Sequence, residues 1–450
     1  MPTTDPRCPA APTPPGIEDT ASQAVELTSA LIRIDSTNTG EEETTTGERT
    51  AAEFVATTLS DAGYEVHYIG AGNDRHSVVV RLEGADRERG ALLVHGHLDV
   101  VPADPLDWTV HPLSGEIRDG YVWGRGAVDM KNMVAMSLAL AIRYKRYGIV
   151  PARDIVFAFV ADEEAGGRMG SGHLVEKHPG LLDGVTEAIG EVGGFSHTLD
   201  NGARAYLIQT AEKSKRWLKV RARGVAGHGS MLAEDNPIGR LGEALATLTK
   251  HRFPLTLTPT VRQFLEGISK AGGWKFTEDA QAEEIVGRLG GLGRIIGATI
   301  RDTANVTVVN AGYKSNVIPA VAEAEVDCRL LPGRREAFDA ELAQLLGPGI
   351  ELEWHEQESL VTTFDGDIVD AMVGALLEHD PNAIVLPYMM SGGTDAKRFA
   401  RLGIRNFGFS PLLLPPDLDF AALFHGVDER VPVDSIRFGV RVLDEFLRTA

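Results

Sequence analysis

Leu92-Leu93-Val94-His95-Gly96-His97-Leu98-Asp99-Val100-Val101 is an apolar run interrupted by a His, a Gly, a second His and an Asp. Apolar runs of this length, bounded by turn residues, read as buried strands of a parallel sheet. Ligands of open α/β sheets sit just past the carboxyl ends of such strands. His97 and Asp99 are two apart, so a strand continuing straight points both side chains to one face. One of them could hold a metal through an imidazole nitrogen while the other orients it. Taken alone, the stretch reads more readily as a packed strand with a polar end.

The chain has 450 residues, more than one core usually supports, so two or more domains are expected. A hydrophobic fraction of 43% and a charged fraction of 24% are ordinary for a globular protein. The formal net charge of -20 argues against nucleic acid or an anionic membrane as partner, because both reward a basic face. It leaves room for a small anionic substrate held by a few local cations. Two cysteines, Cys8 and Cys328, suggest no disulfide framework and fit a reducing, cytoplasmic setting. No apolar stretch approaches membrane-spanning length. Residues 1–16 are Pro-rich without an apolar core and read as a disordered tail.

Helical spacing runs over 17–34 and 45–62, and strands are expected at 64–69 and 77–82. Gly124-Arg125-Gly126-Ala127-Val128-Asp129-Met130-Lys131 then precedes a long apolar helix at 133–147, so Asp129 is either a functional carboxylate or a helix cap. The strand at 154–160 ends in Asp162-Glu163-Glu164, three carboxylates that crowd one another unless a cation or a raised pKa relieves them. A solvated acidic turn is the alternative. The strand at 185–190 ends at Glu191. Near Ala211 the rhythm changes to alternating basic and apolar residues, as in a half-exposed antiparallel strand. Two helices and about four such strands suggest a small α/β sandwich inserted into the larger domain. Residues 252–298 read as irregular. The first fold resumes near Phe364 and places His425 before a final helix at 433–447.

His97, Asp129, Glu164, Glu191 and His425 therefore end strands or turns of one domain. Two imidazoles and three carboxylates suit zinc or a similar divalent ion. Five groups exceed one open tetrahedral site but suit two ions sharing a carboxylate, roughly 3.5–4 Å apart and clamping a bridging hydroxide. Glu163 would then be free to serve as general base.

The segments His97-Leu98-Asp99, Gly124 to Lys131 and Asp162-Glu163-Glu164 resemble those of the di-zinc family of aminoacylase, carboxypeptidase S, glutamate carboxypeptidase, carnosinase and succinyl-diaminopimelate desuccinylase. So do Gly227-His228-Gly229-Ser230, Asn316-Val317-Ile318-Pro319, Asp327 to Gly333, Ser391-Gly392-Gly393-Thr394-Asp395-Ala396 and His425-Gly426. The motifs occur in order over nearly the whole chain after the tail, and the long 252–298 stretch is most like the carboxypeptidase S and aminoacylase branch.

The resemblance implies a zinc-exopeptidase-like three-layer α/β catalytic domain with a mostly parallel central sheet, over 17–211 and 358–450. An inserted ferredoxin-like α+β lid and dimerisation domain would occupy 212–357. It implies two Zn2+ per chain, replaceable by Co2+ or Mn2+. His97 and Glu191 would complete one site, His425 and Glu164 the other, and Asp129 would bridge them through a cis Asp129–Met130 peptide. Asp99 would orient His97, Glu163 would be the base, and His228 would stabilise the oxyanion. Asn316, Arg329, Gly393 and Thr394 would hold a substrate carboxylate.

Val192 separates Glu191 from the Gly pair, which leaves Glu187 as a fallback ligand. The expected activity is hydrolysis of an amide or peptide bond in a dipeptide or N-acyl amino acid, by a homodimer joined through the inserted domain. A catalytically silent binding protein on this fold predicts loss of Glu163 or of ligands, and all are present. A nucleotide-dependent enzyme needs a phosphate loop that the sequence does not offer.

Overall fold

The computed structural model describes residues 16–72, 74–357 and 359–450, so the tail expected over 1–16 lies, but for Gly16, outside the described residues. The chain packs as two units. One comprises the described residues up to Gln209 together with 362–386 and 394–450, and the other comprises 210–361 with 387–393. The grouping of 387–393 with the second unit had no signal in the sequence.

The first unit is built on a mixed sheet. Its middle strands, Ile155–Val160, Ala91–His97, Val185–Gly190 and Arg405–Gly408, pair in parallel in that order. Antiparallel strands His67–Gly70, His76–Leu82 and Arg204–Glu212 flank them. Every residue of Ala91–His97 and of Ile155–Val160 is buried. This is why these strands read as unbroken apolar runs: a parallel strand covered on both faces has no solvent side to pattern. Helix Lys131–Tyr147 is buried along its first fourteen residues and packs against helices Ile17–Ile32 and Val433–Thr449. A helix apolar on all sides belongs in a core. It ends at Gly148, whose φ of 62° supplies the left-handed stop. Gly96 lets this helix approach the sheet, since a Cβ there would meet Met130 Cε and Val134 Cγ2 at 3.0 Å.

The second unit holds a four-stranded antiparallel sheet in the order Thr303–Ala311, Val321–Leu330, Ser214–Arg223, Ile350–Gln357. Helices Pro237–Lys250 and Arg335–Leu346 cover one face, closing a core around Leu218, Val220, Leu241, Val326, Phe338 and Leu342. A short ribbon pairs Gly227–His228 with Val317–Ile318.

Several expectations are corrected. The second helix spans Arg49–Asp61 rather than 45–62, because Gly47, at a φ of 81°, breaks the helical backbone ahead of it. The strand expected from Tyr64 begins at His67, and Tyr64 instead donates its hydroxyl to Ala141 O at 2.9 Å. Residues 252–298 are not irregular: they carry helices Pro259–Gly272, Ala282–Gly287 and Leu292–Gly297. Thr258 caps the first of these and Pro259 opens it, while Val261, Phe264, Leu265 and Ile268 bury its inner stripe.

Candidate metal centre

The parallel strands deliver their polar ends to one place. His97 closes Ala91–His97, Glu163 and Glu164 follow Ile155–Val160, and Glu191 follows Val185–Gly190. Asp129 arrives on the turn before helix Lys131–Tyr147, and the Asp129–Met130 peptide is cis. The cap position of that helix is Met130, so Asp129 is not its cap. His425 comes from the loop before the last helix.

Asp129 lies between the two histidines. Its Oδ1 is 3.0 Å from His97 Nε2 and its Oδ2 is 3.3 Å from His425 Nε2. His97 Nε2 is also 3.5 Å from Glu191 Oε2, and His425 Nε2 is 3.2 Å from Glu164 Oε2. Two half-sites result, one around His97 and Glu191 and one around His425 and Glu164, with one carboxylate facing both. Ligand atoms of His97, Asp129 and Glu164 lie within 4.8 Å of one another, as do those of His97, Glu163 and Glu191. Glu187 is elsewhere: Arg153 holds it at 2.7 Å and Arg405 at 3.2 Å.

The backbone around these groups is held in unfavourable conformations. Asp162, Val192 and His425 have φ of 70°, 54° and 57°. A β-branched residue such as Val192 in the left-handed region is a genuine outlier, and such outliers cluster at functional sites. Gly193 is required beside it, because a Cβ there would fall 1.9 Å from Gly408 O.

Burial and crowding control the electrostatics. Burial raises the carboxyls of Glu163, Glu164 and Glu191 above the usual range, and neighbouring carboxylates add to it. Burial also works against charge on Asp129, but hydrogen bonds from His425 and His97 outweigh it and hold Asp129 low. Burial alone would lower His97, yet Glu191, Asp129 and Asp99 lift it well above an ordinary imidazole. Hydrogen bonds to Asp129 and Glu164 raise His425 to about 10.

Protons on the histidines thus balance the carboxylates, a task a divalent cation performs when ligands deprotonate to receive it. Glu164 Oε1 is buried with no hydrogen-bond partner. An orphaned acceptor within a nitrogen and carboxylate donor set fits a divalent metal.

Asp99 supports the centre, though not mainly as the sequence suggested. His97 Nδ1 meets the backbone carbonyl of Asp99 at 3.0 Å, and the Asp99 carboxylate is farther, at 3.5 Å. That carboxylate instead accepts the backbone N–H groups of Glu163 and Glu164, each at 3.1 Å, and Asn38 Nδ2 at 2.8 Å. Behind Asn38, Arg75 donates to Asn38 Oδ1 at 2.9 Å and pairs with Glu48 at 2.5 Å. Sequence reasoning missed Asn38, Arg75 and Glu48. A polar Ser36-Thr37-Asn38 run directly after an apolar helix was the available signal. His95 packs on Phe399 at 4.8 Å between ring centroids, and burial lowers it to about 3, so it is a strand histidine outside the donor set.

His228, Asn316, Arg329 and Gly393 belong to the second unit, and Thr394 to the first. In the ribbon, Gly229 N donates to Asn316 O at 2.9 Å, so His228 and Asn316 are neighbours. Ser230 N donates to His228 Nδ1 at 3.2 Å. Arg329 makes a two-bond pair with Asp327, at 2.6 and 2.9 Å. Thr394 Oγ1 accepts the N–H of Ala396 at 3.1 Å.

The model of peptidase family M20/M25/M40 matches residues 93–449. The N-fatty-acyl-amino acid synthase/hydrolase PM20D1 of Xenopus tropicalis is 29% identical over 96% of this chain and 87% of its own length. A probable carboxypeptidase S-like 2 of Dictyostelium discoideum is 28% identical over 80% of this chain and 72% of its own. Among solved structures, the M20 family metallo-carboxypeptidase Sso-CP2 of Sulfolobus solfataricus shares the fold with a TM-score of 0.72. It is 20% identical and is covered over 99% of its length by 95% of this chain.

Proposed function

We infer the reaction from two facts together: the chain belongs to peptidase family M20/M25/M40, which includes a solved metallo-carboxypeptidase, and its donor groups form two half-sites around Asp129. The chain hydrolyses an amide or peptide bond in a small substrate with a free carboxylate, a dipeptide or an N-acyl amino acid. The observation that carries this is Asp129, whose two oxygens face two different histidines. His97, Glu191 and Asp129 Oδ1 would hold one Zn2+, and His425, Glu164 and Asp129 Oδ2 the other, with Co2+ or Mn2+ able to replace them. Bound there, the ions would supply Lewis acidity toward water and the scissile carbonyl.

Glu163 is the residue next to ligand Glu164, and in this reading it stays off the metals and moves protons. It takes one from water and returns it to the leaving nitrogen. Its raised carboxyl suits that two-way traffic. His228 serves as oxyanion donor. With the Ser230 N–H aimed at Nδ1, a neutral ring carries its proton on Nε2, the atom left to donate. Asp327 fixes the plane of the Arg329 guanidinium, and Arg329, Asn316, Gly393 and Thr394 would hold the substrate carboxylate.

The inserted unit would also join two copies. Val225, Met231 and Leu232 around the His228 ribbon are 79%, 70% and 102% exposed, as an interface would require. No helix among the described residues is long and apolar enough to cross a membrane, and the buried free thiol of Cys328 suits the cytoplasm.

The experiment is hydrolysis of a panel of dipeptides and N-acyl amino acids by metal-stripped protein, before and after zinc, cobalt or manganese is restored. Metal-dependent cleavage is expected, and the preferred acyl group separates peptidase from deacylase. Failure to bind any metal would overturn the reading.

A further inference from the structure

We propose that Glu429, acting with Arg125, is a positioning residue that sets Asp129 and His425 in register and so governs the metal affinity of the half-site containing His425. The inference rests on the two-ion reading above.

Glu429 is fully buried, and its carboxylate is hydrogen-bonded by backbone N–H groups and by Arg125. Its Oε1 accepts the backbone N–H of Val128 at 2.7 Å and of Asp129 at 3.1 Å. Its Oε2 accepts the N–H of Gly126 at 3.0 Å and Arg125 Nη1 at 2.7 Å. The same guanidinium, 4% exposed, donates its Nη2 to the backbone carbonyl of His425 at 3.1 Å. Gly124 N closes the arrangement on Glu429 O at 2.9 Å. One carboxylate and one guanidinium therefore tie the turn that carries Asp129 to the loop that carries His425, across some 300 residues of sequence.

Two features show that this staple acts on geometry rather than on cohesion alone. First, Gly126 has a φ of 85°, and a Cβ there would fall 2.7 Å from Val100 Cγ1, so the turn can present its N–H groups to Glu429 only with glycine at that point. Second, His425 itself sits at a φ of 57°, a conformation that a non-glycine residue keeps only when its surroundings over-determine it. The Arg125 bond to its carbonyl is such a constraint. His97 has a further support in the Asp99 and Asn38 network, which contains neither Glu429 nor Arg125, although Asp99 also accepts the backbone N–H of Glu164.

Partners that orient ligands from behind typically change metal affinity or activity by about 10–100-fold when removed. Zinc binding to metal-stripped, full-length protein would be followed by calorimetry and by metal content after dialysis. In folded Glu429→Gln, the zinc ion held by His425 and Glu164 is expected to bind about 10–100-fold more weakly, and the other, which has only Asp129 in common with it, to be weakened less. kcat should fall in parallel while KM is unchanged. A merely structural role lowers the melting temperature of the stripped protein but leaves both zinc affinities of the folded protein untouched, and that result would overturn the proposal.

If Glu429→Gln does not fold, Arg125→Lys keeps the charge beside Glu429 but cannot also reach the His425 carbonyl. It should weaken the same zinc ion, and two wild-type affinities would again overturn the proposal. Wild-type protein that binds a single ion refutes the two-ion reading instead, and Glu429→Gln must then still lower the affinity of that one ion.

Discussion

The carboxylate of Asp99 accepts the backbone N–H of Glu163 at 3.1 Å, so the residue that follows His97 by two positions also fixes the start of the turn bearing Glu163 and Glu164. The adjacent N–H of Glu164 reaches the other Asp99 oxygen at 3.1 Å. A single side chain thus couples the ends of two neighbouring parallel strands.

Asp99→Ala removes both acceptors and leaves Asn38 Nδ2 only its longer contact, 3.5 Å, with Asp162 Oδ1. Activity or zinc affinity should fall by about 10–100-fold, as for other groups that orient ligands. Asp99→Asn preserves shape but turns one oxygen into a donor against an N–H, and it should be nearly as impaired. Activity close to wild type in both variants would show that the Asp99 backbone carbonyl alone suffices to orient His97.

Glu163→Ala should lower kcat by at least about 10²–10⁴-fold, the usual contribution of a positioned acid–base group. Two ions per chain should remain bound, measured by atomic emission on dialysed protein. Loss of one ion would make Glu163 a ligand, a role its closeness to His97 and Glu191 allows.

Arg329→Ala should raise KM about 10–100-fold for substrates with a free carboxylate, from the roughly 1.5–3 kcal/mol of a hydrogen bond to a charged group. The same substrates with an amidated terminus should show no such penalty. A uniform loss across both series would reduce Arg329 to the partner of Asp327.

Stripping the metal should make stability fall with rising pH. Burial raises Glu191 from 4.5 to about 8, and hydrogen bonds to Asp129 and Glu164 raise His425 from 6.5 to about 10. In both cases the folded state binds more protons than the unfolded chain between those limits. The stabilisation is complete below the unfolded value and lost as pH passes through the folded one. Melting of stripped protein should therefore drop between about pH 4.5 and 10. Zinc should displace those protons, release them to the buffer and remove the slope. A stripped protein with a flat profile over this window would contradict the arrangement of charges described above.

Some of this was legible early because strand ends are local features. His97, Glu163, Glu164 and Glu191 each stop or follow an apolar run, and the chain's period and polarity mark those stops directly. The helix at Pro259–Gly272 was missed, although Thr258-Pro259 and the spacing of Val261, Phe264, Leu265 and Ile268 carried a signal for it. The nearby glycines obscured it.

Buried pairs such as Glu48 with Arg75 and Glu429 with Arg125 carried no such mark. A charged residue looks the same in sequence whether it faces water or a partner in the interior. Only burial makes pairing obligatory, since an unpaired charge in the interior is strongly destabilising.

By itself, then, the sequence determined which donor groups stand at the ends of strands and turns, that they suit two divalent ions, and which family the motifs resemble. Tertiary structure decided how those groups are shared out. It turned the two oxygens of Asp129 toward different histidines, and it brought Glu191 to His97 while Arg153 and Arg405 took Glu187. It also gave His97 the carbonyl of Asp99 rather than chiefly its carboxylate. The reason is that strand and turn propensities act over a few residues, whereas the hydrogen bonds of this centre join segments as much as 304 positions apart, and only the packed core fixes their distances.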